Sequence, residues 1–203
     1  MTGGDFPARA GRIGVVGLGG VLMGDDAFGP YVVAVLEARY DFPPHVAVRD
    51  LGTPSLDLTA YVEELDAMIV VDTVHAAGEP GELRTYDRAA LVRHPVQPRV
   101  SPHEPGLKEA LLIAEFDGQG PAEVLLVGAI PATTATGIGM SPALRAAVPH
   151  AVEIVLKELR RLGVEAAPKA APLAPNIWWE ALSRGGPSAP PYPCPLAACA
   201  AGE

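Results

Sequence analysis

Two adjacent carboxylates, Asp25 and Asp26, lie between a short apolar run and a segment whose apolar residues have helical spacing. The apolar run at 12–16 predicts a buried strand, and residues 28–40 predict a helix. Ligand sites of open α/β sheets lie at such junctions, just outside the carboxyl ends of the strands. A glycine-rich turn at this place usually binds phosphate, but two carboxylates would repel phosphate. The pattern therefore indicates cation binding or proton transfer.

Three further side chains with useful chemistry lie at predicted boundaries between elements and loops. Asp50 ends a predicted strand at 46–50, and Asp72 ends a wholly apolar strand at 68–72. His103 precedes a predicted helix. Because neighbouring strands are about 4.8 Å apart, carboxylates at adjacent strand ends can converge. Two carboxylates and an imidazole suit zinc, nickel, manganese or iron, and they leave coordination positions open for a substrate.

Each of these residues also has a purely structural interpretation. An aspartate in the first turn of a helix often serves only as a cap or dipole partner, which applies to both Asp25 and Asp26, and Asp50 precedes a sequence that suits a turn. Asp72 is harder to explain in this way, because a carboxylate that ends a buried strand is costly unless it has a partner. His75 follows Asp72 closely and is an alternative ligand for the same site.

The elements that must position these residues alternate between strand and helix. This alternation predicts one three-layer α/β/α domain with a twisted, largely parallel sheet of about five strands. The strand at 68–72 is apolar throughout and is expected at the centre of the sheet, whereas the strand at 82–86 alternates in polarity and is expected at an edge. The remaining elements are predicted at 55–65 (helix), 105–116 (helix), 123–129 (strand) and 141–162 (helix, with Ser141 as N-cap and Gly163 as C-cap).

Composition and charge limit the class of protein. The 203 residues are 49% hydrophobic and 19% charged, which is typical of a globular protein with a substantial core. The formal net charge of −9 disfavours electrostatic binding to nucleic acid or to anionic membranes. The first residues lack the pattern of a signal peptide, and both cysteines, Cys194 and Cys199, lie close to the C-terminus. We therefore expect a cytoplasmic protein that does not depend on disulfides.

The sequence predicts three regions. These are a flexible N-terminus at 1–11, a folded domain at 12–167 and a mostly disordered Pro/Ala-rich tail at 168–203. The tail has no sustained periodicity, so it is not expected to bury enough apolar surface to offset the entropy lost on ordering. Within it, residues 177–182 could pack as a short helical turn. Removal of everything after Ala167 is accordingly expected to change folding little.

Five sequence motifs lie between residues 12 and 164. The motifs are GLG at 17–19 with GDDAFG at 24–29, DLGT at 50–53, VVD at 70–72, SPHEPGL at 101–107 and VGAIP at 127–131. In their order and spacing they resemble the hydrogenase maturation endopeptidases, which remove a C-terminal extension from the large subunit of NiFe hydrogenases.

The resemblance implies a twisted sheet between helices and a metal-binding cleft. It assigns the metal ligands to Asp26, Asp72 and His103, and it makes Asp50 a further acid linked to activity. The metal is nickel, supplied by the large-subunit precursor that is the substrate and partner, rather than held tightly by the enzyme. Cleavage then follows attack by a water molecule, activated either by the metal or by Asp50 or Asp72 as general base.

Two other functions stay open. A non-proteolytic nickel or large-subunit chaperone would share the fold, and Gly20 stands where the family usually has an asparagine whose side chain bonds within the turn. A dinucleotide-binding protein would use Asp50 as its ribose-binding acid. Its Gly-x-Gly-x-x-Gly pattern fails, however, because Leu22 occupies the sixth position from Gly17.

Overall fold

The computed structural model describes residues 11–54, 58–93 and 104–183. In chain order the strands of this part are β1 (Ile13–Leu18), β2 (Tyr40–Asp41), β3 (Val46–Gly52), β4 (Ala67–Thr73), β5 (Leu83–Asp87), β6 (Glu123–Ala129) and β7 (Ala167–Pro168). Five of them form one sheet in the order β3-β1-β4-β6-β5, and the two short strands β2 and β7 form a second sheet. In the larger sheet β3, β1, β4 and β6 are parallel, and β5 runs antiparallel at its edge.

Helices cover both faces of the sheet, which confirms the predicted three-layer α/β/α fold. The helices are α1 (Phe28–Arg39), α2 (Leu58–Glu63), α3 (Arg88–Arg93), α4 (Glu104–Phe116), α5 (Pro142–Arg161) and α6 (Trp178–Ser183), and a 3-10 turn (Gly24–Ala27) precedes α1. Helices α1 and α5 pack on one face, and α2 and α4 pack on the other. Strand β4 is central and β5 is at an edge, as their polarity patterns predict.

The two predicted capping residues of α5, Ser141 and Gly163, lie at the two ends of this helix. The side-chain oxygen of Ser141 accepts a hydrogen bond from the backbone N–H of Leu144 at 3.4 Å. Gly163 follows the helix with φ of +82°, a left-handed conformation that favours glycine. Among the residues whose structure is described, no helix is long and apolar enough to cross a membrane.

Close packing of α1 against the sheet places Asp25 and Asp26 at the carboxyl ends of the strands. A Cβ added to Gly29 would lie 2.2 Å from the carbonyl oxygen of Leu18 and 2.4 Å from that of Val71. No side chain fits in this space, so the start of α1 contacts the backbones of β1 and β4 directly. The turn that carries Asp25 and Asp26 therefore lies directly at the carboxyl ends of these strands.

Residues 168–183, hereafter the C-terminal segment, pack on the fold, although their composition predicts a mostly disordered tail. Helix α6 lies where the sequence predicts a short helical turn at 177–182. Strand β7 pairs with β2, and the backbone N–H of Leu173 donates to the carbonyl of Ala38 at 3.0 Å. Trp179 is only 2% exposed, and Arg145 Nη2 lies 2.6 Å from Glu180 Oε1. Backbone pairing, one buried indole and one ion pair thus order a stretch of sequence that has no periodic pattern. The rest of the predicted tail, with both cysteines, and residues 1–10 lie outside the described residues.

Deleting residues 168–203 is therefore expected to destabilise the protein, contrary to the expectation from composition. Loss of a buried tryptophan typically lowers the free energy of unfolding by about 3–5 kcal/mol. Chemical denaturation monitored by circular dichroism measures this effect. The control is a chain that ends after Ser183, which keeps every contact described above. Equal stability of the two shortened chains would show that the packed segment contributes nothing.

Candidate functional site

At the carboxyl ends of the strands, Thr73 donates one hydrogen bond to Asp26 and one to Asp72. The hydroxyl of Thr73 donates to Asp26 Oδ1 at 3.0 Å, and its backbone N–H donates to Asp72 Oδ1 at 2.7 Å. Asp26 is 5% exposed and Asp72 is 1% exposed. Carboxylates so far withdrawn from water are costly unless they are hydrogen-bonded, and a shared donor residue orients both.

The turn that carries Asp26 is held by main-chain atoms. The backbone N–H of Gly20 donates to Asp26 Oδ2 at 2.6 Å. A Cβ at Gly20 would lie 3.2 Å from Met23 Cγ and 3.4 Å from Asp26 Oδ2, so there is little space for a larger residue. The backbone N–H of Gly20 thus orients the predicted ligand Asp26 directly, without a side chain at position 20.

Asp25 has a different role from its neighbour. It is fully buried, and its carboxylate accepts hydrogen bonds from the backbone N–H groups of Ala132 (2.8 Å), Thr133 (3.2 Å) and Ser141 (2.6 Å). These bonds hold the loop at 130–141 against the turn that carries Asp26. The sequence could not reveal this role, because the bonded groups lie more than a hundred positions along the chain.

The loop held by Asp25 lines an apolar patch beside the two acids. Gly24 and Gly137 are joined by a backbone hydrogen bond of 2.9 Å, which pairs the loop with the segment that follows β1. Leu22, Met23 and Ile138 are exposed here by 52%, 39% and 39%. Large apolar side chains grouped beside buried carboxylates offer a surface on which a polypeptide can pack.

The structure places Asp50 on a strand that is not adjacent to the strand of Asp72, and its predicted role in activity stays a prediction. Asp50 lies on β3, and β1 separates β3 from β4, so its backbone is about 10 Å from that of β4. The side chain of Asp50 lies on the face of the sheet that α1 covers. Asp72 lies on the opposite face, like Val70, which packs in the core under α2 and α4. Partial burial raises the pKa of Asp50, and the N–H of Gly52, 2.8 Å from Oδ1, opposes this shift.

The predicted histidine ligand lies outside the described residues. His103 directly precedes α4, which begins at Glu104. The alternative ligand, His75, is exposed in the loop after β4. Within the residues that the structure describes, no group of three His, Cys, Asp or Glu side chains could hold a metal ion. The described part of the site therefore offers two oriented carboxylates, and the predicted ligand set of Asp26, Asp72 and His103 stays a prediction.

Comparisons with known proteins agree on one family. The sequence model described as "Hydrogenase maturation protease" matches residues 30–158. The hydrogenase 2 maturation protease of Escherichia coli (strain K12) is 36% identical over 164 residues, which is 79% of this chain and 98% of the relative. The hydrogenase expression/formation protein HoxM of Cupriavidus necator is 33% identical over 193 residues, which is 93% of this chain and 94% of that protein.

Solved structures agree with the sequence comparison. The hydrogenase maturating endopeptidase HybD from E. coli superposes with a TM-score of 0.71 at 34% identity, and the match covers 78% of this chain and 98% of that chain. A hydrogenase 2 maturation peptidase from a Thaumarchaeota archaeon superposes with a TM-score of 0.57 at 33% identity and covers 73% of this chain and 98% of its own. The match of the sequence model and the similarity to these relatives show that this chain belongs to the hydrogenase maturation protease family.

Proposed function

We propose that the protein is an endopeptidase that removes the C-terminal extension of a NiFe hydrogenase large subunit after nickel has been inserted. Membership of the maturation protease family supports the substrate and the reaction. The observation that carries the proposal for this chain is the pair of buried carboxylates, Asp26 and Asp72, which Thr73 orients at the carboxyl edge of the sheet. Such edges are where open α/β sheets bind ligands.

Nickel enters this proposal as part of the substrate. Asp26, Asp72 and His103 contact the nickel at coordination positions that the precursor leaves open, so that only the loaded precursor binds productively. Carboxylate and imidazole groups are suitable ligands for a divalent transition metal. A carboxylate has about four acceptor positions, so the hydrogen bonds from Thr73 and Gly20 orient Asp26 and are compatible with contact to a metal.

Hydrolysis needs an activated water beside the scissile bond. Nickel at the site would lower the pKa of a bound water. Alternatively, a carboxylate removes the proton as general base. Of the two acids that the sequence offers for this task, Asp72 is the better supported, because Thr73 bonds to both Asp72 and Asp26, whereas β1 separates the strand of Asp50 from β4.

The proposal predicts that cleavage depends on the metal content of the substrate. Purified protein incubated with nickel-loaded precursor is expected to shorten it, whereas nickel-free precursor stays intact, and intact-mass spectrometry reports both. Elemental analysis of the dialysed protein is the control and is expected to find little metal. A chaperone would bind the loaded precursor without shortening it. Stoichiometric zinc or iron that turnover requires would make the protein an ordinary metalloprotease.

A further inference from the structure

A cavity of about 300 Å³ lies between α1 and the C-terminal segment, apart from the two buried acids of the candidate site. Its aliphatic wall comes mainly from α1. Its polar and aromatic lining comes from both sides and consists of Glu37, Asp50, Asn176, Trp178 and Trp179. Neither Asp26 nor Asp72 lines it. The volume is at the lower end of the range of small-ligand sites, about 300–1,000 Å³.

The wall formed by the C-terminal segment is held firmly in place. At one end, the backbone N–H of Leu173 donates to the carbonyl of Ala38. At the other end, the buried carboxylate of Glu180, 6% exposed, pairs with Arg145, whose guanidinium also lies 5.8 Å from the centre of the Tyr31 ring. The cavity is therefore a built feature of the fold, with two fixed walls.

The charge of Asp50 acts on Glu37, the other carboxylate of the cavity. Partial burial raises the pKa of Glu37, and the charge of Asp50 raises it further, while Lys169 opposes the shift. The ammonium of Lys169 does not line the cavity, and it lies 3.6 Å from Asp41 instead. A positive group between Glu37 and Asp50 would be attracted by both and would remove their mutual repulsion.

The aromatic lining also suits a cation with an organic stem. Trp178 is 54% exposed and packs edge-to-face on Trp179, with ring centres 5.8 Å apart. A half-exposed indole is a favourable surface for a guanidinium or an ammonium group. The indole N–H of Trp179 is buried and has no hydrogen-bond partner in the described part of the chain. A ligand that carries a carbonyl could supply the acceptor that this donor lacks.

We propose that this cavity binds a basic side chain of the polypeptide substrate, a guanidinium or ammonium group on an aliphatic stem. Glu37 and Asp50 bind the cation, the aliphatic face of α1 packs against the stem, and Trp178 covers it. The identity of the polypeptide rests on the proposed function, but the chemistry of the ligand does not. The cavity thus adds a second recognition site, which neither Asp26 nor Asp72 lines.

Fluorescence tests the ligand chemistry without any cleavage, because both tryptophans of the chain line the cavity. Titration of the full chain with N-acetyl-arginine amide is expected to give a saturable change. N-acetyl-citrulline amide has the same shape without the charge and should bind at least about tenfold more weakly, or about 1.4 kcal/mol. Absence of a saturable change, or equal binding of both compounds, would overturn the proposal.

Substitutions test whether Glu37 and Asp50 bind the ligand. Glu37→Gln and Asp50→Asn are each expected to weaken binding of N-acetyl-arginine amide several-fold. Glu153→Gln removes an exposed acid of α5 that does not line the cavity, and it is expected to leave the affinity unchanged. An equal loss of affinity in all three variants would mean that only overall charge attracts the ligand, and the site would be refuted.

Processing assays test whether the basic group belongs to the substrate. With nickel-loaded precursor, Glu37→Gln and Trp178→Ala are expected to raise KM several-fold with little change in kcat, and N-acetyl-arginine amide should compete with the precursor. Suppose that N-acetyl-arginine amide binds but does not compete with the precursor, and that the two substitutions leave KM unchanged. The cavity then serves a free small cation, and its assignment to the substrate is wrong. If the unaltered protein cuts no precursor, the proposed function fails, while the fluorescence result still decides the cavity.

Discussion

Replacing Asp72 by asparagine is expected to abolish processing of nickel-loaded precursor while the protein stays folded. The asparagine carbonyl can still accept the hydrogen bond that the backbone N–H of Thr73 gives to Asp72 Oδ1. The negative charge, which either a metal contact or proton abstraction requires, is lost. A residue that acts in general acid–base catalysis typically contributes a factor of about 10²–10⁴ in rate. We expect a loss in this range or larger, measured by mass spectrometry of timed samples.

The same loss is expected for Asp26→Asn, because Asp26 shares its Thr73 donor with Asp72. Asp87→Asn is the matched control. Asp87 also ends a strand and accepts a backbone hydrogen bond, from Ala90 at 2.7 Å, but it is exposed and lies away from the carboxyl edge where the two acids meet. Circular dichroism checks that all three variants are folded. Full cleavage by Asp72→Asn would remove Asp72 from the site.

Local patterns were sufficient to predict the elements that carry Asp26 and Asp72. The apolar run of β4 and the helical spacing of α1 are properties of a few neighbouring residues, and both gave nearly correct boundaries. The six-residue helix α3 was missed because it is too short for a periodic pattern, although Asp87 is a usable N-cap signal. The pairing of β2 with β7 was missed because it joins distant parts of the chain.

The position of Asp50 shows what such patterns cannot predict. Its place at the end of a strand is local information, but strand order is not, and β1 separates β3 from β4. The face that it uses also depends on pairing, and the register between β1 and β3 shifts after Gly17. The C-terminal segment gives the same lesson, since its order depends on Trp179 and on the ion pair of Arg145 rather than on periodicity.

Replacing Asp25 by alanine is expected to damage both the fold and the activity, although we assign no chemistry to Asp25. Three backbone N–H groups of the loop at 130–141 would lose their acceptor. A hydrogen bond to a charged group typically contributes about 1.5–3 kcal/mol, so the loss of three such bonds should lower the free energy of unfolding by about 3 kcal/mol or more. Chemical denaturation measures this loss, and Asp117→Ala, at an exposed acid after α4, is the control.

Amide hydrogen exchange in the loop at 130–141 should detect the loss of the Asp25 carboxylate without global unfolding. Under conditions in which Asp25→Ala remains folded, amide hydrogen exchange is expected to increase at Ala132, Thr133 and Ser141, because the carboxylate that accepts their N–H bonds is absent. Processing should fall by more than the unfolded fraction explains, since the loop lies against the turn that carries Asp26. If exchange at these amides stays slow and the folded variant cleaves normally, the loop is held by other contacts, and Asp25 contributes only to stability.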